Sequence, residues 1–388
     1  MRSARSPGSS KQARWSRSLT HAGPSRKQAC SIRHSIAVRV HEREAGAALD
    51  VASFIRRLRA AFSLRAELFD PADTNAYRLC NGEGDRIPGL VIDRYREVAI
   101  LRLDGGSLTP WIDRLKGPLA TLLAEHGITS AAVRIPRESS SKTSPPRDST
   151  RAPAGRPAER SGSLIAPLFG PPIPERMFVI ERGLKLEVDL HFGHKTGAFL
   201  DHRDNLVRVR ELAKGRRRAL NLFSYTGGFS LAAALGGAAH VTSVDTAGPA
   251  HASAQRSFRE NGLDPTGHTF VTGDVLAFLE TAAARGDRFD LVISDPPSFA
   301  PSEKTKPRAM ASYRRLHGAC ARVLAEGGVF IAASCSSHVT IDDFFTTLDD
   351  ASLGRGDLRV TTVLGQPADH PFLPAWPEGR YLKLAVLR

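Results

Sequence analysis

The apolar positions of this chain are most informative at Ala219 to Phe223, a short run that stops at Ser224-Tyr225-Thr226-Gly227-Gly228. A helix-forming run from Phe229 to Leu235 follows. Strand, tight turn and helix in that order predict the first unit of a doubly wound α/β sheet, where ligands sit at the strands' carboxyl ends. Gly227 and Gly228 let backbone approach a ligand, and the helix start offers free N–H groups. Val241 to Asp245 reads as a second strand, ending in a carboxylate about 20 residues past the glycines, where a ribose-binding acid belongs. Phe270-Val271 leads to Asp274, and Phe289 to Ser294 is a buried strand running into Asp295-Pro296-Pro297. Polar residues delivered by successive strand ends to one edge describe a nucleotide-type cofactor pocket. A nicotinamide site fits less well, because the turn lacks the G-x-G-x-x-G pattern.

Upstream the periods change. Val51, Phe54, Ile55, Leu58, Ala61 and Phe62 keep the i, i+3, i+4 spacing of a helix. Arg56, Arg57, Arg59 and Arg65 fall on its other face, read as solvated or as an RNA contact. Residues 74–95 read as strand, glycine-rich turn and strand, with Val98 to Leu103 pairing behind. A helix near 108–126 and a strand at 131–135 complete a small α/β unit over 49–137. Residues 138–163 are Ser/Pro/Arg-rich and predict a flexible linker or insertion. Residues 178–190 then predict a hairpin turning at Arg182-Gly183, and residues 164–388 are expected to form one unit led by it.

Charge adds a partner. The net charge is +14, which points to an anion such as RNA, although part of the excess lies in the first residues. Residues 1–47 carry ten Lys/Arg against two Glu and no apolar period, so an arm over 1–48 is expected to be disordered. It reads as a tail without essential function, a phosphate-tracking arm, an organellar transit peptide, or sequence upstream of the true start. No run approaches the roughly 20 apolar residues of a membrane span. Cys30, Cys80, Cys320 and Cys335 lack paired spacing, so neither a disulfide framework nor a metal site is expected, and a cytoplasmic setting is the default.

Six separated motifs in order carry a resemblance. They are residues 193–205 (Gly-His-Lys-Thr-Gly-Ala-Phe-Leu-Asp-His-Arg-Asp-Asn), 221–229 (Asn-Leu-Phe-Ser-Tyr-Thr-Gly-Gly-Phe), Ser243-Val244-Asp245, residues 295–299 (Asp-Pro-Pro-Ser-Phe), Ser334-Cys335-Ser336, and Asp369-His370-Pro371 with residues 378–383. Residues 184–388 thereby resemble the class I S-adenosylmethionine-dependent methyltransferases. More closely they are similar to the bacterial large-subunit rRNA (cytosine-C5)-methyltransferase family. The resemblance implies a Rossmann-like, doubly wound seven-stranded sheet preceded by a small α/β middle domain, which residues 74–95 also resemble. It implies S-adenosyl-L-methionine as cofactor and rRNA of the large ribosomal subunit as partner, with a dimer as one open expectation. The family usually begins with a small RNA-binding domain of the PUA type, which the first residues do not match.

The resemblance distributes roles. Lys195, Phe199, Asp201 and Arg203 are expected to flank the cofactor, with Lys195 and Arg203 near its methionine end or the substrate. Helix-start acids meeting the helix dipole are the plainer reading of that block. Asn221, Phe223, Tyr225, Thr226 and Gly227 are expected on the methionine side. Asp245, with Thr246 beside it, should take the ribose hydroxyls, since a carboxylate offers two acceptor oxygens. Asp274 should accept from the adenine amino group, or is a strand-end turn residue. Asp295 and Pro296 form a rigid wall, because proline forbids continuing the strand. Phe299 either stacks on the target base or belongs to the core.

Val329 to Ser334 is the next buried strand, closing on Cys335 at the edge that holds Asp295. Cytosine C5 is too weak a nucleophile to take a methyl directly, and a thiolate adding to C6 makes the ring enamine-like. Cys335 is therefore the expected nucleophile, while Cys80 and Cys320 read as buried core. Many RNA cytosine-C5 enzymes carry a second cysteine beside Asp-Pro-Pro. Here Ser294 and Ser298 flank it, leaving the base for the C5 proton unidentified. The rival readings are amino-group methylation of guanine or adenine at Asp295-Pro-Pro, which needs no cysteine, and an inactive RNA-binding protein.

Overall fold

The computed structural model describes residues 28–31, 38–42, 48–135 and 164–388. The expectations for residues 1–27 and for the linker at 138–163 lie outside the described residues. The arm expected to be disordered contributes a strand pair, β1 (Gln28–Ser31) and β2 (Val38–Glu42). The second strand is anchored: Arg39 is buried and pairs with Glu83, and Arg57 donates to Glu42 Oε2 at 2.6 Å and to His41 O at 2.6 Å. A basic composition hid ion pairs whose second partners, Glu83 and Arg57, lie elsewhere in the chain.

Helix α1 (Val51–Leu68) starts at a capping box formed by Asp50 and Ser53, and buries Phe54, Leu58, Ala61 and Phe62. It packs on a five-stranded sheet of β3 (Ala76–Asn81), β4 (Leu90–Tyr95), β5 (Val98–Leu103), β6 (Ser130–Arg134) and β7 (Ile165–Phe169), with α2 (Ile112–Ala124) beside it. Strand β7 pairs antiparallel with β6. Residues 165–169 thus pair into the small sheet, although they fall within the 164–388 range expected to form one unit. Arg65 does not face solvent: it is fully buried and grips Asp85 through two 2.7 Å bonds.

A separate hairpin, β8 (Arg176–Glu181) and β9 (Leu184–Asp189), turns at Arg182-Gly183, both with positive φ. Helix α3 (Arg203–Leu212) leads into the large sheet. Its strands are β10 (Arg218–Leu222), β11 (His240–Asp245), β12 (Thr269–Thr272), β13 (Phe289–Ser294), β14 (Leu324–Ser334), β15 (Val360–Leu364) and β16 (Lys383–Leu387). The helices between them are α4 (Gly228–Leu235), α5 (Gly248–Glu260), α6 (Val275–Ala284), α7 (Lys306–Val323), α8 (Ile341–Phe345) and α9 (Asp350–Leu353). The spatial order is β12-β11-β10-β13-β14-β16-β15, with only β16 reversed. This is the doubly wound seven-stranded sheet expected. Order reverses beside β10, so the cleft opens at the carboxyl ends of β10 and β13.

Candidate active site

The turn after β10 is built from backbone. Phe223, Tyr225 and Gly227 all have positive φ (58°, 45° and 75°), a conformation that bulky residues rarely hold. Hydrogen bonds hold it: Gly227 N–H donates to Ser224 O at 2.8 Å, and Tyr225 N–H to Asp245 Oδ2 at 2.8 Å. Ala247 N–H donates to Asp245 Oδ1 at 2.8 Å, so the carboxylate at the end of β11 is fixed and stays half-buried at the opening. A Cβ on Gly227 would lie 2.7 Å from that of Ala254, so α4 and α5 approach only because the position is glycine. Asn221 is buried, and its amide donates to Ser230 Oγ at 2.8 Å beneath the turn. It supports the turn from below and does not reach the opening. Phe223 and Thr226 are half-buried, and Thr246 is exposed beside Asp245. Asp274 is exposed and caps α6, accepting from Ala277 N–H at 2.9 Å.

The segment 193–203 is built from side chains. Lys195 donates to Asp201 Oδ2 at 2.6 Å, Tyr381 O–H donates to the same oxygen at 2.6 Å, and Asp201 is buried. Burial opposes the charge of Asp201, but Lys195, His202 and His370 outweigh it and hold the carboxyl well below its usual range. The ammonium of Lys195 also lies over Phe199, 4.5 Å from the ring centroid. Phe199 is exposed and meets Tyr225 edge-on at 5.5 Å.

This segment is tied to the small sheet. Thr196 Oγ1 donates to Asp93 Oδ2 at 2.6 Å, Tyr95 O–H lies 2.8 Å from Thr196 Oγ1, and Ala198 N–H donates to Tyr95 Oη at 3.1 Å. Arg78 grips Asp93 from behind at 2.8 and 3.0 Å. Asp369 accepts from Arg78 N–H at 2.9 Å and pairs with Arg203 at 2.9 Å. Close approach is needed at that junction: a Cβ on Gly84 would lie 1.9 Å from Pro371 O.

Arg203 departs from its expected place. It is fully buried, between Asp369, Glu181 and the carbonyl of Ala76, with its guanidinium 4.7 Å from the Phe69 ring centroid. No face of it is left for a substrate or cofactor. It clamps the hairpin, the small sheet and the 369–371 loop to the start of α3.

At the ends of β13 and β14 the remaining groups converge. Asp295 Oδ2 lies 3.2 Å from His202 Nε2, and Pro296 is buried behind it. Cys335 is half-buried, with its Sγ 4.0 Å from Pro296 O. Burial and the charge of Asp295 push its thiol up to about 11, while Lys195 pulls the other way. The charge of Lys195 thus does not offset burial and Asp295 at the thiol. Ser334 and Ser336 on either side of Cys335 are held by Tyr313 O–H at 2.9 and 3.1 Å. Lys383 donates to Ser336 O and Val339 O, both at 2.7 Å, and burial pulls its pKa down to about 8. Phe299 is half-buried and packs on Tyr313 at the side of the core, with ring centroids 4.9 Å apart. Cys320 is fully buried, and burial pushes its thiol up to about 12.

His202, Tyr313, Tyr381 and Lys383 received no role in the sequence reading. Tyr381 and Lys383 lay inside a motif, but their partners are far away along the chain. Among the described residues no group of His, Cys, Asp or Glu could hold a metal ion, and no helix is long and apolar enough to cross a membrane.

Comparison with known proteins agrees with this arrangement. Residues 156–375 match the family model described as S-adenosylmethionine-dependent methyltransferase. The chain is 35% identical over 352 residues to ribosomal RNA large subunit methyltransferase I of Escherichia coli (strain SMS-3-5 / SECEC), covering 90% of this chain and 83% of the relative. Among solved structures, the methyltransferase SMU.776 complexed with SAH superposes with a TM-score of 0.79 at 26% identity, over 93% of this chain and 87% of that one. A SAM-dependent methyltransferase from Agrobacterium tumefaciens shares the fold, with a TM-score of 0.54 at 15% identity, over 82% of this chain and 90% of that one.

Proposed function

The chain belongs to the S-adenosylmethionine-dependent methyltransferases, and from that premise we propose that it methylates C5 of a cytosine in large-subunit ribosomal RNA. The observation that carries the finer reading is Cys335, half-buried at the end of β14 within the electrostatic reach of Asp295 and Lys195.

The residues present fit the cofactor. Asp245 is pre-set by two backbone donors and keeps lone pairs for a diol. Asp201 keeps Oδ1 buried without a hydrogen-bond partner, an acceptor for the methionine ammonium. Lys195, Phe199, Tyr225 and Gly227 line the same side. When bound, S-adenosylmethionine supplies an electrophilic methyl group.

The chain's own residues do the rest. Cys335 must lose its proton before it attacks, and Asp295 and Lys383 are the nearby groups able to take it. The Sγ–C6 bond then forms, and the electron pair of the C5–C6 double bond makes C5 nucleophilic. After methylation a base removes the C5 proton, the C5–C6 double bond returns and Sγ leaves. Asp295, held by His202, is oriented to accept from the exocyclic amine of the base. That orientation also supports the second reading, amino-group methylation of guanine or adenine, which has no use for the thiol.

The test is RNA carrying 5-fluorocytosine at the target, where fluorine cannot leave as the proton does. A covalent adduct should accumulate with the wild type. Cys335→Ala should lose both the adduct and methylation, and Cys320→Ala should keep both. Methylation that persists in Cys335→Ala would discard the C5 reading in favour of the amino-group reading.

A further inference from the structure

The carboxyl edge of the large sheet carries three stations in a row. Asp245 and the glycine turn stand over β11 and β10, and Asp295 and Cys335 over β13 and β14. Beyond them a groove of about 700 Å³ opens where β15 ends and β16 begins. That size lies within the roughly 300–1,000 Å³ of small-molecule pockets. Ser337 and Thr340, from the turn after Cys335, line one side. Phe372, Glu378, Arg380 and Lys383 complete the lining that matters chemically. Phe372 leaves 38% of its surface exposed. Lys383 holds Ser336 O and Val339 O, so groove and nucleophile share one support.

We propose that this groove binds the nucleotide adjacent to the target base in the RNA strand. The proposal rests on the RNA-methylating reading above. A polynucleotide that delivers one base to Cys335 continues along the sheet edge. On the β10 side it meets the cofactor station, so the open direction is over β16 and β15. The lining suits one nucleotide there. An exposed aromatic face stacks on any base, and a guanidinium meets a phosphate. Glu378 offers an acceptor to a base amino group. The competing occupant is a second copy of the chain, because β15 is the sheet's edge strand and exposes Val360 and Val363.

The experiment uses the full chain and fluorescent RNA oligonucleotides centred on the base it methylates, with zero, one or two nucleotides on each side. Wild-type binding should tighten about 5- to 150-fold when the first nucleotide is added on one side, the worth of one stacked base. Phe372→Ala should erase that gain, Arg380→Ala should reduce it, and calorimetric S-adenosylmethionine affinity should stay within twofold. Variants that keep the full gain overturn the groove assignment alone. Sedimentation showing a wild-type dimer that both variants dissociate also overturns it and gives the groove to a second copy. A wild type that binds none of the oligonucleotides overturns the RNA reading and the groove with it.

Discussion

Two stretches face each other across the opening and are built on different principles. The turn at 223–228 presents backbone: three positive φ values, free N–H groups at the start of α4, and a single carboxylate, Asp245, fixed by two amide donors. The stretch at 195–203 presents side chains: Lys195 and Phe199 toward the opening, Asp201 buried against Lys195, with Thr196 and Arg203 anchored to another sheet. The first is organised by residues within about 20 positions of one another. The second depends on Asp93, Tyr95 and Asp369, which are at least a hundred positions away. Away from Gly227, a backbone turn tolerates side-chain change, whereas buried charge networks fail when one member is lost. The cofactor side should therefore respond mildly to substitution, and the clamped side through folding and rate.

Arg203→Met should give the largest effect. It leaves Asp369 and Glu181 buried beside an uncharged side chain, and breaking such a pair costs about 3–5 kcal/mol. Burial, opposed by Arg203, already pushes Glu181 up to about 7, so that carboxyl would rise further in the variant. Urea unfolding should show the loss while the Michaelis constant for RNA in the folded fraction stays unchanged. A stable variant with a weakened RNA constant would return Arg203 to the substrate site. On the other stretch, Asp245→Ala should weaken S-adenosylmethionine binding by about 1.5–3 kcal/mol in calorimetry, with a smaller loss of stability, about 1–2 kcal/mol, from the two turn N–H donors it leaves unpaired. Unchanged affinity in the folded variant would remove Asp245 from the site.

The next two predictions probe the link between the stretches. Thr196→Val keeps the shape of the side chain but removes the oxygen shared by Asp93 and Tyr95, so the Lys195 loop should loosen. We expect kcat to fall about tenfold, the ~1.4 kcal/mol of one buried hydrogen bond, with RNA affinity unchanged. Thr196→Ser should restore it, and a kcat at the wild-type level in Thr196→Val would show that the tie does not matter. The thiol gives a pH test. A raised pKa means that thiolate is scarce below that value and grows as pH rises. Alkylation of Cys335 in the cofactor-free protein should therefore climb about tenfold per unit from pH 7 to 9 without a plateau. Asp295, Asp201, Lys195 and Lys383 all act on this group, and a plateau near pH 8 would mean that Lys195 and Lys383 prevail.

What the sequence made legible follows the same division. Strand, turn and helix around Gly227 could be read because apolar period and turn chemistry are local, and so could the sheet's order of carboxylates. Arg203 could not be read. An arginine beside two acids at a helix start looks like a ligand-facing group, and its burial depends on Asp369, Glu181 and Ala76, contributed by three distant elements. Lys383 sits opposite Ser334 in the β14–β16 pairing, a register that no local pattern sets. Strand β7 received no reading of its own, because its pairing with β6 is a tertiary contact that no local pattern sets.

The smallest expected effect separates two roles that Asp274 can play at once. Its Oδ1 caps α6, and an N-cap carboxylate replaced by alanine costs about 1 kcal/mol of stability. The same residue stands at the carboxyl end of β12, where an acceptor for the adenine amino group is expected. Serine caps nearly as well as aspartate but carries no charge. Asp274→Ser should keep stability within about 0.5 kcal/mol of wild type, so any change in cofactor affinity reports the carboxylate alone. If Asp274 accepts from adenine, Asp274→Ser should weaken S-adenosylmethionine a few-fold, consistent with a hydrogen bond at an exposed position. It should weaken 7-deaza and N6-methyl analogues of the cofactor unequally, because only the second alters the amino group. If Asp274 is a cap and nothing more, Asp274→Ser should bind every analogue as the wild type does, and only Asp274→Ala should lower the melting temperature. The backbone-built side of the opening would then hold the cofactor with Asp245 as its one side-chain acceptor on that flank.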